Sequence, residues 1–240
     1  MTRIVADWLG GPSQQVCGML TNAGYQAWFV GGCVRNALID APVFDLDIST
    51  DARPEAVMKI AKSWGLRVVP TGIEHGTVTV VVEGTPFEIT TFRRDVATDG
   101  RRAVVAFADT MEEDARRRDF TMNALYCDID GEVADPLGGL PDLEARRVRF
   151  IDDADQRIKE DYLRILRFFR FHAWYGDVDG GIDADGLAAC AENIDGLVGL
   201  SKERVTAELL KLLSAPDPAP AVASLGAAGF LSFFLLFFFF

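Results

Sequence analysis

The segment that most restricts this chain is Phe44-Asp45-Leu46-Asp47-Ile48, where apolar and acidic residues alternate strictly. Alternation with period two marks a strand with one face in a core. A strand here turns Phe44, Leu46 and Ile48 inward and leaves Asp45 and Asp47 together on the other face. Two carboxylates on one face, with no lysine near them in sequence, repel each other unless a cation lies between them. Magnesium, a hard oxygen-seeking ion that also binds nucleotide phosphates, is the expected occupant; a solvated strand edge is the plain alternative. Upstream, Val30-Gly31-Gly32-Cys33-Val34-Arg35 sets two glycines between an apolar strand, Tyr25–Val30, and a helix. Glycine lets backbone N–H groups approach a phosphate, and a helix N-terminus favours an anion. A Gly-Gly pair by itself also fits an ordinary tight turn, and the acidic strand behind it is what gives it weight.

Around this pair, strands and helices intermix as far as about Ile151. Ser13 is placed to cap a helix ending at Gly24, and Pro54 to open one that stops near Gly65. Leu66–Pro70, Thr77–Glu83 and Phe87–Phe92 read as further strands, the last two joined by a turn at Glu83-Gly84-Thr85-Pro86. Met111–Tyr126 has helical patterning. Beyond Ile151 the pattern is helical, near Asp153–Trp174, Ala184–Glu192 and Ser201–Leu213, and the Ala/Pro-rich run Ser214–Ala221 closes it. The division this predicts is a mixed α/β domain over residues 1–148, an all-helical domain over 149–214 and a remainder, 215–240.

A net charge of −12 counts against a general nucleic-acid binder, which carries a basic excess. The distribution of the basic residues weakens that objection. Of the 24 basic residues 19 are arginine, gathered at Arg93–Arg94, Arg101–Arg102, Arg116–Arg118, Arg146–Arg149 and Arg164–Arg170. Arginine suits bidentate phosphate and base-edge recognition better than lysine; arginine-rich codon usage is the plain alternative. Cys17, Cys33, Cys127 and Cys190 form no CxxC pair and have only His75 and His172 to join them, which argues against zinc and for a reducing cytosol. Met1–Gly11 carries Arg3 and Asp7 and no apolar signal core. Phe230–Phe240 holds 7 of the 17 phenylalanines, a run far short of the ~20 apolar residues of a membrane span. It is expected to be an abnormal or truncated, aggregation-prone terminus rather than a membrane anchor.

Three further features carry chemistry. Glu88, between Phe87 and Ile89, reads equally as a third metal-facing carboxylate or as an exposed position on an alternating strand. Arg116-Arg117-Arg118-Asp119-Phe120-Thr121-Met122-Asn123 offers a polar patch at Arg118, Asp119 and Asn123 for a ribose or triphosphate. The plain alternative pairs these arginines with Glu112, Glu113 and Asp114 on a surface helix. In Glu160–Arg170, each three-residue step turns about 60° back around a helix, so Asp161, Arg164, Arg167 and Arg170 sweep one half of it. Asp161 beside Arg164 supplies an acceptor and a donor. Cytosine and adenine present the complementary donor and acceptor, whereas uracil and guanine present the reverse. A helix-surface ion pair is the commoner use of such residues.

In this order, the clusters resemble the class II nucleotidyltransferases, the family of CCA-adding tRNA nucleotidyltransferases and bacterial poly(A) polymerases. GGCVRN followed by DLD is similar to the family's metal and triphosphate motif, RRDFTMNAL to its ribose-sensing motif and EDYLRILRFFRF to its nucleotide-selecting motif. Asp135–Leu143 resembles the hinge between head and neck, Ser201–Val205 the neck helix that braces that hinge, and Asp95–Phe107 the flexible loop. The resemblance implies a DNA polymerase beta-like head with a mixed sheet, followed by a helical neck. It implies Asp45 and Asp47 as catalytic ligands of Mg2+, and Gly32 and Arg35 as triphosphate contacts. Arg118 would lie near the sugar or phosphates, Asp161 and Arg164 at the base edge, with Arg167 and Arg170 as further nucleotide contacts. The implied partners are CTP, ATP and the tRNA 3′ end, in the cytoplasm and without a membrane; oligomeric state is not implied. Asn36 departs from the aspartate usual after that arginine.

Overall fold

A computed structural model describes residues 2–98, 103–177 and 179–230, which fold as two compact units. The first comprises the chain up to Val96, Val104–Arg118 and Met122–Leu140; the second is built mainly from Asp119–Thr121 and the chain from Pro141 onward. The phenylalanine run beyond Phe230 lies outside the described residues, as do 99–102 within the loop-like segment Asp95–Phe107.

The first unit runs α1 (Pro12–Thr21), β1 (Trp28–Val30), α2 (Gly32–Leu38), β2 (Asp47–Thr50), α3 (Pro54–Ser63), β3 (Arg67–Gly72), β4 (Thr77–Val82) and β5 (Thr85–Thr91). There follow β6 (Arg93–Thr98), β7 (Ala103–Phe107), α4 (Met111–Arg116), β8 (Tyr126–Cys127) and β9 (Val133–Ala134). Seven strands form one sheet in the order β3-β4-β5-β2-β1-β8-β9. Only β2 and β5 run parallel; the other pairs are antiparallel. β6 and β7 pair as a separate two-stranded sheet, so the described part of Asp95–Phe107 is a ribbon rather than a structureless loop. One sheet face is apolar: Ile48, Val78, Val80, Phe87 and Ile89 are buried there, and α1 and α3 pack against this region. Val82 pairs with Thr85, leaving Glu83 (φ 50) and Gly84 (φ 85) as a two-residue turn whose positive φ angles match the strand twist.

Several boundaries differ from the sequence pattern. Pro54 does open α3, but α1 starts at Pro12 and is capped by Gly11, with Ser13 buried inside it. β1 spans only Trp28–Val30. Residues 44–46 therefore have no ladder partner, because β1 ends at the Gly31 turn just where they would need one, and β2 begins at Asp47. Phe44 is 85% exposed and does not face the core. Met111–Tyr126 is not one helix: α4 ends at Arg116, Thr121–Asn123 makes a single 3-10 turn, and Tyr126 is already in β8.

In the second unit α5 (Leu140–Glu144), α6 (Ala154–Glu160), α7 (Leu163–Tyr175), α8 (Ala184–Glu192), α9 (Lys202–Leu213) and α10 (Ala219–Leu225) follow one another. α5 begins one residue before Pro141. The stretch expected as one helix near Asp153–Trp174 breaks after Glu160. Asp161 adopts an extended backbone, and its Oδ1 accepts from Leu163 N at 3.1 Å, restarting the helix as α7. Ile165, Leu166, Phe168 and Phe169 are fully buried along α7, whose Phe168 stacks on Phe150 at 5.3 Å; Phe120 meets Phe150 at 4.9 Å. Among the described residues no helix is long and apolar enough to cross a membrane.

Phe168 anchors this aromatic core. Phe168→Ala is expected to lower the second unit's stability by about 3–5 kcal/mol, whereas Val198→Ala, at an exposed position, should stay within about 0.5 kcal/mol. Urea unfolding of the two variants checks the contrast.

Candidate active site

The parallel pairing of β2 with β5 sets Asp47 directly beside Glu88, and Ser49 beside Thr90. Across β5, Glu88 faces Thr79 and Thr90 faces Thr77. The sheet face opposite the core is therefore a polar field, with Thr77 hydrogen-bonded to Thr90 at 3.0 Å and Thr79 to Thr71 at 2.8 Å. Asp45 lies exposed just before β2, so local chain position rather than strand alternation brings its charge to bear on Asp47. Partial burial pushes the Asp47 carboxyl above the ordinary carboxylate range; Glu88 adds to the shift, Arg118 opposes it, and Asp45 adds further. Glu88 is thus a neighbour in the acidic row. Among the described residues, no three His, Cys, Asp or Glu side chains form a ready-made metal cage. An all-oxygen pair of carboxylates still suits Mg2+, which takes one or two protein carboxylates and completes its shell with phosphates and water.

The Gly31-Gly32 turn sits at the end of the neighbouring strand. Gly31 has φ 74, and a Cβ there would lie 3.4 Å from Arg118 Nη1. A Cβ at Gly32 would lie 3.8 Å from Arg35 Nη2, so a guanidinium lies near each glycine. Arg35 is buried. Its Nη1 donates to Asn123 Oδ1 at 2.5 Å, and its Nε and Nη2 donate to Asn36 Oδ1 at 3.1 and 2.8 Å. Asn36, which stands where the family usually has an aspartate, thus braces Arg35 through an uncharged amide oxygen, and its Nδ2 donates to Pro42 O at 2.7 Å. Cys33 follows the turn; burial and the charge of Asp47 push its thiol up to about 11, leaving it protonated at neutral pH.

The three consecutive arginines part company. Arg116 pairs with Glu112 at 2.9 Å on the surface, as the plain alternative has it. Arg117 and Arg118 converge on Asp114, at 2.8 and 3.0 Å, a partner the same alternative names, but one that is buried rather than on the surface. Asp114, with no exposed side-chain surface, also accepts from Tyr126 Oη at 2.8 Å. Tyr126 does not stand out in the sequence, and Asp114 does so only as one of three acids able to pair with the arginines. The one available signal is that Asp114 lies three and four residues before Arg117 and Arg118. The expected patch of Arg118, Asp119 and Asn123 is divided: Asn123 serves Arg35 in the first unit, and Asp119 serves Arg167 in the second.

In the second unit Asp161, Arg164, Arg167 and Arg170 each have an ionic partner. Asp161 Oδ2 accepts from Arg204 Nη2 at 2.7 Å. Arg164 Nη1 donates to Glu160 Oε2 at 2.6 Å and Arg157 O at 2.7 Å. Arg167 Nε donates to Asp119 Oδ2 at 2.8 Å, and Arg170 Nε to Glu208 Oε2 at 2.6 Å. Asp161 terminates α6, so only Arg164, Arg167 and Arg170 share the half-buried side of one helix. Glu160 and Glu208 are partners that sequence reasoning did not single out, and Asp119, expected in a nucleotide patch, is instead the partner of Arg167. Arg204 lies in the segment Ser201–Val205, whose Ser201 caps α9.

A mixed sheet carrying an acidic row beside a Gly-Gly turn, with a helical unit after it, has the architecture of a nucleotidyltransferase head followed by a helical region. Residues 27–149 match the Poly A polymerase head domain, and residues 181–238 match the probable RNA and SrmB-binding site of polymerase A. The chain belongs to the poly(A) polymerase head-domain family. It is 42% identical over 196 residues to CCA tRNA nucleotidyltransferase 1, mitochondrial, of Homo sapiens, which covers 81% of this chain and 45% of that protein. It is 41% identical over 223 residues to the CCA-adding enzyme of Geobacillus thermodenitrificans, covering 91% and 54%. The crystal structure of the Bacillus stearothermophilus CCA-adding enzyme in complex with CTP superposes with a TM-score of 0.80 at 38% identity, over 89% of this chain and 51% of that one. The chain thus spans about half the length of the curated relatives it matches.

The raised titration of Asp47 has a definite sign. Its ionised carboxylate costs stability above its folded-state pKa, and the cost disappears below the ordinary carboxylate range. Asp47→Asn is therefore expected to raise the metal-free melting temperature at pH 7 by about 1–2 °C, the scale of a screened surface charge effect. The gain should vanish below about pH 4. Calorimetric scans across pH test this, and an unchanged or lower melting temperature at pH 7 would remove the repulsion argument.

Proposed function

We propose that this chain carries the catalytic head and nucleotide-selecting neck of a template-independent RNA nucleotidyltransferase that adds C and A to the tRNA 3′ end. In this reading residues 1–148 form the head and 149–214 the neck. The observation that carries the proposal is the acidic pair Asp45 and Asp47 beside a glycine turn that approaches the Arg118 guanidinium. The reaction joins the RNA 3′-hydroxyl oxygen to the α-phosphorus of CTP or ATP and releases pyrophosphate. Asp45 and Asp47 would hold Mg2+, which when bound supplies charge neutralisation at the phosphates and activation of the attacking hydroxyl. The backbone at Gly32, with Arg35 behind it and Arg118 beside it, would orient the triphosphate. Glu88 adds negative potential beside Asp47, which strengthens the site's attraction for a cation.

Base choice falls to the neck. Asp161 would accept from the exocyclic amino group of cytosine or adenine, and Arg164 would donate to the adjacent ring nitrogen, while Arg167 and Arg170 brace them or contact the nucleotide. The ion pairs of Asp161 with Arg204 and of Arg164 with Glu160 support this by limiting the rotamers of both groups. Four unpaired, buried cysteines suit a reducing compartment, and we assign the cytosol.

Incubation with tRNA lacking its terminal CCA, Mg2+ and labelled CTP and ATP tests the reading. Ordered incorporation of C then A is expected; runs of A without C would indicate polyadenylation instead. Asp45→Ala and Asp47→Ala should each lower incorporation by several orders of magnitude, about 10³-fold or more, with the fold retained. Near-normal turnover by either variant at saturating Mg2+ would overturn the metal assignment.

A further inference from the structure

A guanidinium has five N–H groups in a fixed fork. In Arg118 three of them are committed within the first unit: Nε to Tyr126 Oη at 3.3 Å, and Nη2 to Asp114 Oδ2 at 3.0 Å and Ser49 Oγ at 3.4 Å. The corner left over is Nη1, and it lies over the Gly31 turn. The clamp converges on one atom. Asp114 Oδ2 accepts from Arg118, from Tyr126 Oη at 2.8 Å and from Ser49 Oγ at 3.5 Å. Its other oxygen is fixed by Arg117 Nε at 2.8 Å and Arg93 N at 3.2 Å. The aspartate is wholly buried, and its pairing with Arg118 and Arg117 outweighs that burial and holds the carboxyl below the usual range. The Arg118 carbon sits 5.5 Å from the centre of the Tyr126 ring, a cation–π contact that further restricts the fork.

We propose that Asp114, assisted by Tyr126, is the positioning residue for nucleotide binding: it locks Arg118 so that only the Nη1 corner is presented, aimed at a triphosphate oxygen above Gly31-Gly32. This rests on the reading that the first unit binds a nucleoside triphosphate. A lone flexible arginine would lose rotational freedom on binding and could turn either edge to the ligand. Arg118 has already lost that freedom, so its charge-assisted bond forms without further ordering. Gly31 belongs to the same device. Any side chain there would stand between Nη1 and the turn, at a φ of 74 that L-residues rarely adopt.

Calorimetric titration of CTP in Mg2+ buffer tests this with the full chain and four variants: Asp114→Asn, Tyr126→Phe, Arg118→Ala and Val80→Ala. Val80 is buried on the opposite, apolar sheet face, so Val80→Ala controls for lost stability alone. Asp114→Asn should weaken CTP by about ten- to a hundredfold, approaching Arg118→Ala, and Tyr126→Phe by about threefold or more. Val80→Ala should bind CTP as the unaltered chain does. Affinity within about twofold of the unaltered chain in folded Asp114→Asn, alongside a loss in Arg118→Ala, overturns the proposal. So does an equal loss in Val80→Ala. Should Asp114→Asn not fold, full affinity in Tyr126→Phe overturns it instead. No CTP binding by the unaltered chain overturns the nucleotidyltransferase reading and this proposal with it.

Discussion

Parallel pairing between β2 and β5, the one such pair in a sheet otherwise antiparallel, places two like charges next to each other at Asp47 and Glu88. Folding alone gives no reason to keep them so. Hydrophobic burial on the other face, from Ile48, Phe87 and Ile89, holds the strands in this register and offsets the repulsion. A one-residue slip would turn those side chains outward, so the acidic row is fixed by the core behind it. Arg118 opposes the accumulated charge at Asp47 without removing it, and the carboxyl still titrates high. In the proposed reading this remaining charge is what attracts a cation.

Arginine placement follows the same logic in both units. Arg35 and Arg118 are held from behind, by Asn36 and Asn123 or by Asp114 and Tyr126, close to the glycine turn. In the helical unit Asp161, Arg164, Arg167 and Arg170 each take a different partner, from α9, α6, Asp119 and Glu208. Half-buried ion pairs of this kind add little net stability, because desolvation offsets much of the attraction. What they do supply is orientation. A base edge is discriminated by hydrogen-bond direction, and directional groups must be stiff to discriminate.

The sequence displayed much of this through short-range pattern. Alternation in Thr77–Val82 and Phe87–Ile89, Pro54 at the start of α3 and the Glu83-Gly84 turn all act locally, and these elements form as their residues dictate. The seven-strand order was not legible, nor was the neighbour relation of Asp47 and Glu88, since a parallel pair records no local signal of its register. Phe44 misled because alternation describes a strand only where a partner exists, and β1 stops at the Gly31 turn. Asp161 misled because its side chain competes for backbone N–H groups and breaks a helix that its neighbours would continue. The buried anchor Asp114 was hidden for a simpler reason: in sequence it is the third of three consecutive acids, and only the fold separates it from Glu112 and Glu113.

In the proposed reading Asp45 and Asp47 form a cation site whose charge Arg118 offsets only in part until the ion arrives. Following thermal unfolding while Mg2+ alone is added tests it most directly, because binding to the folded state raises the melting temperature by mass action. The unaltered chain should show a saturable rise, and Asp45→Asn combined with Asp47→Asn should show none beyond that produced by a matched ionic strength of NaCl. An equal, saturable Mg2+-dependent rise in the doubly substituted chain would contradict the account.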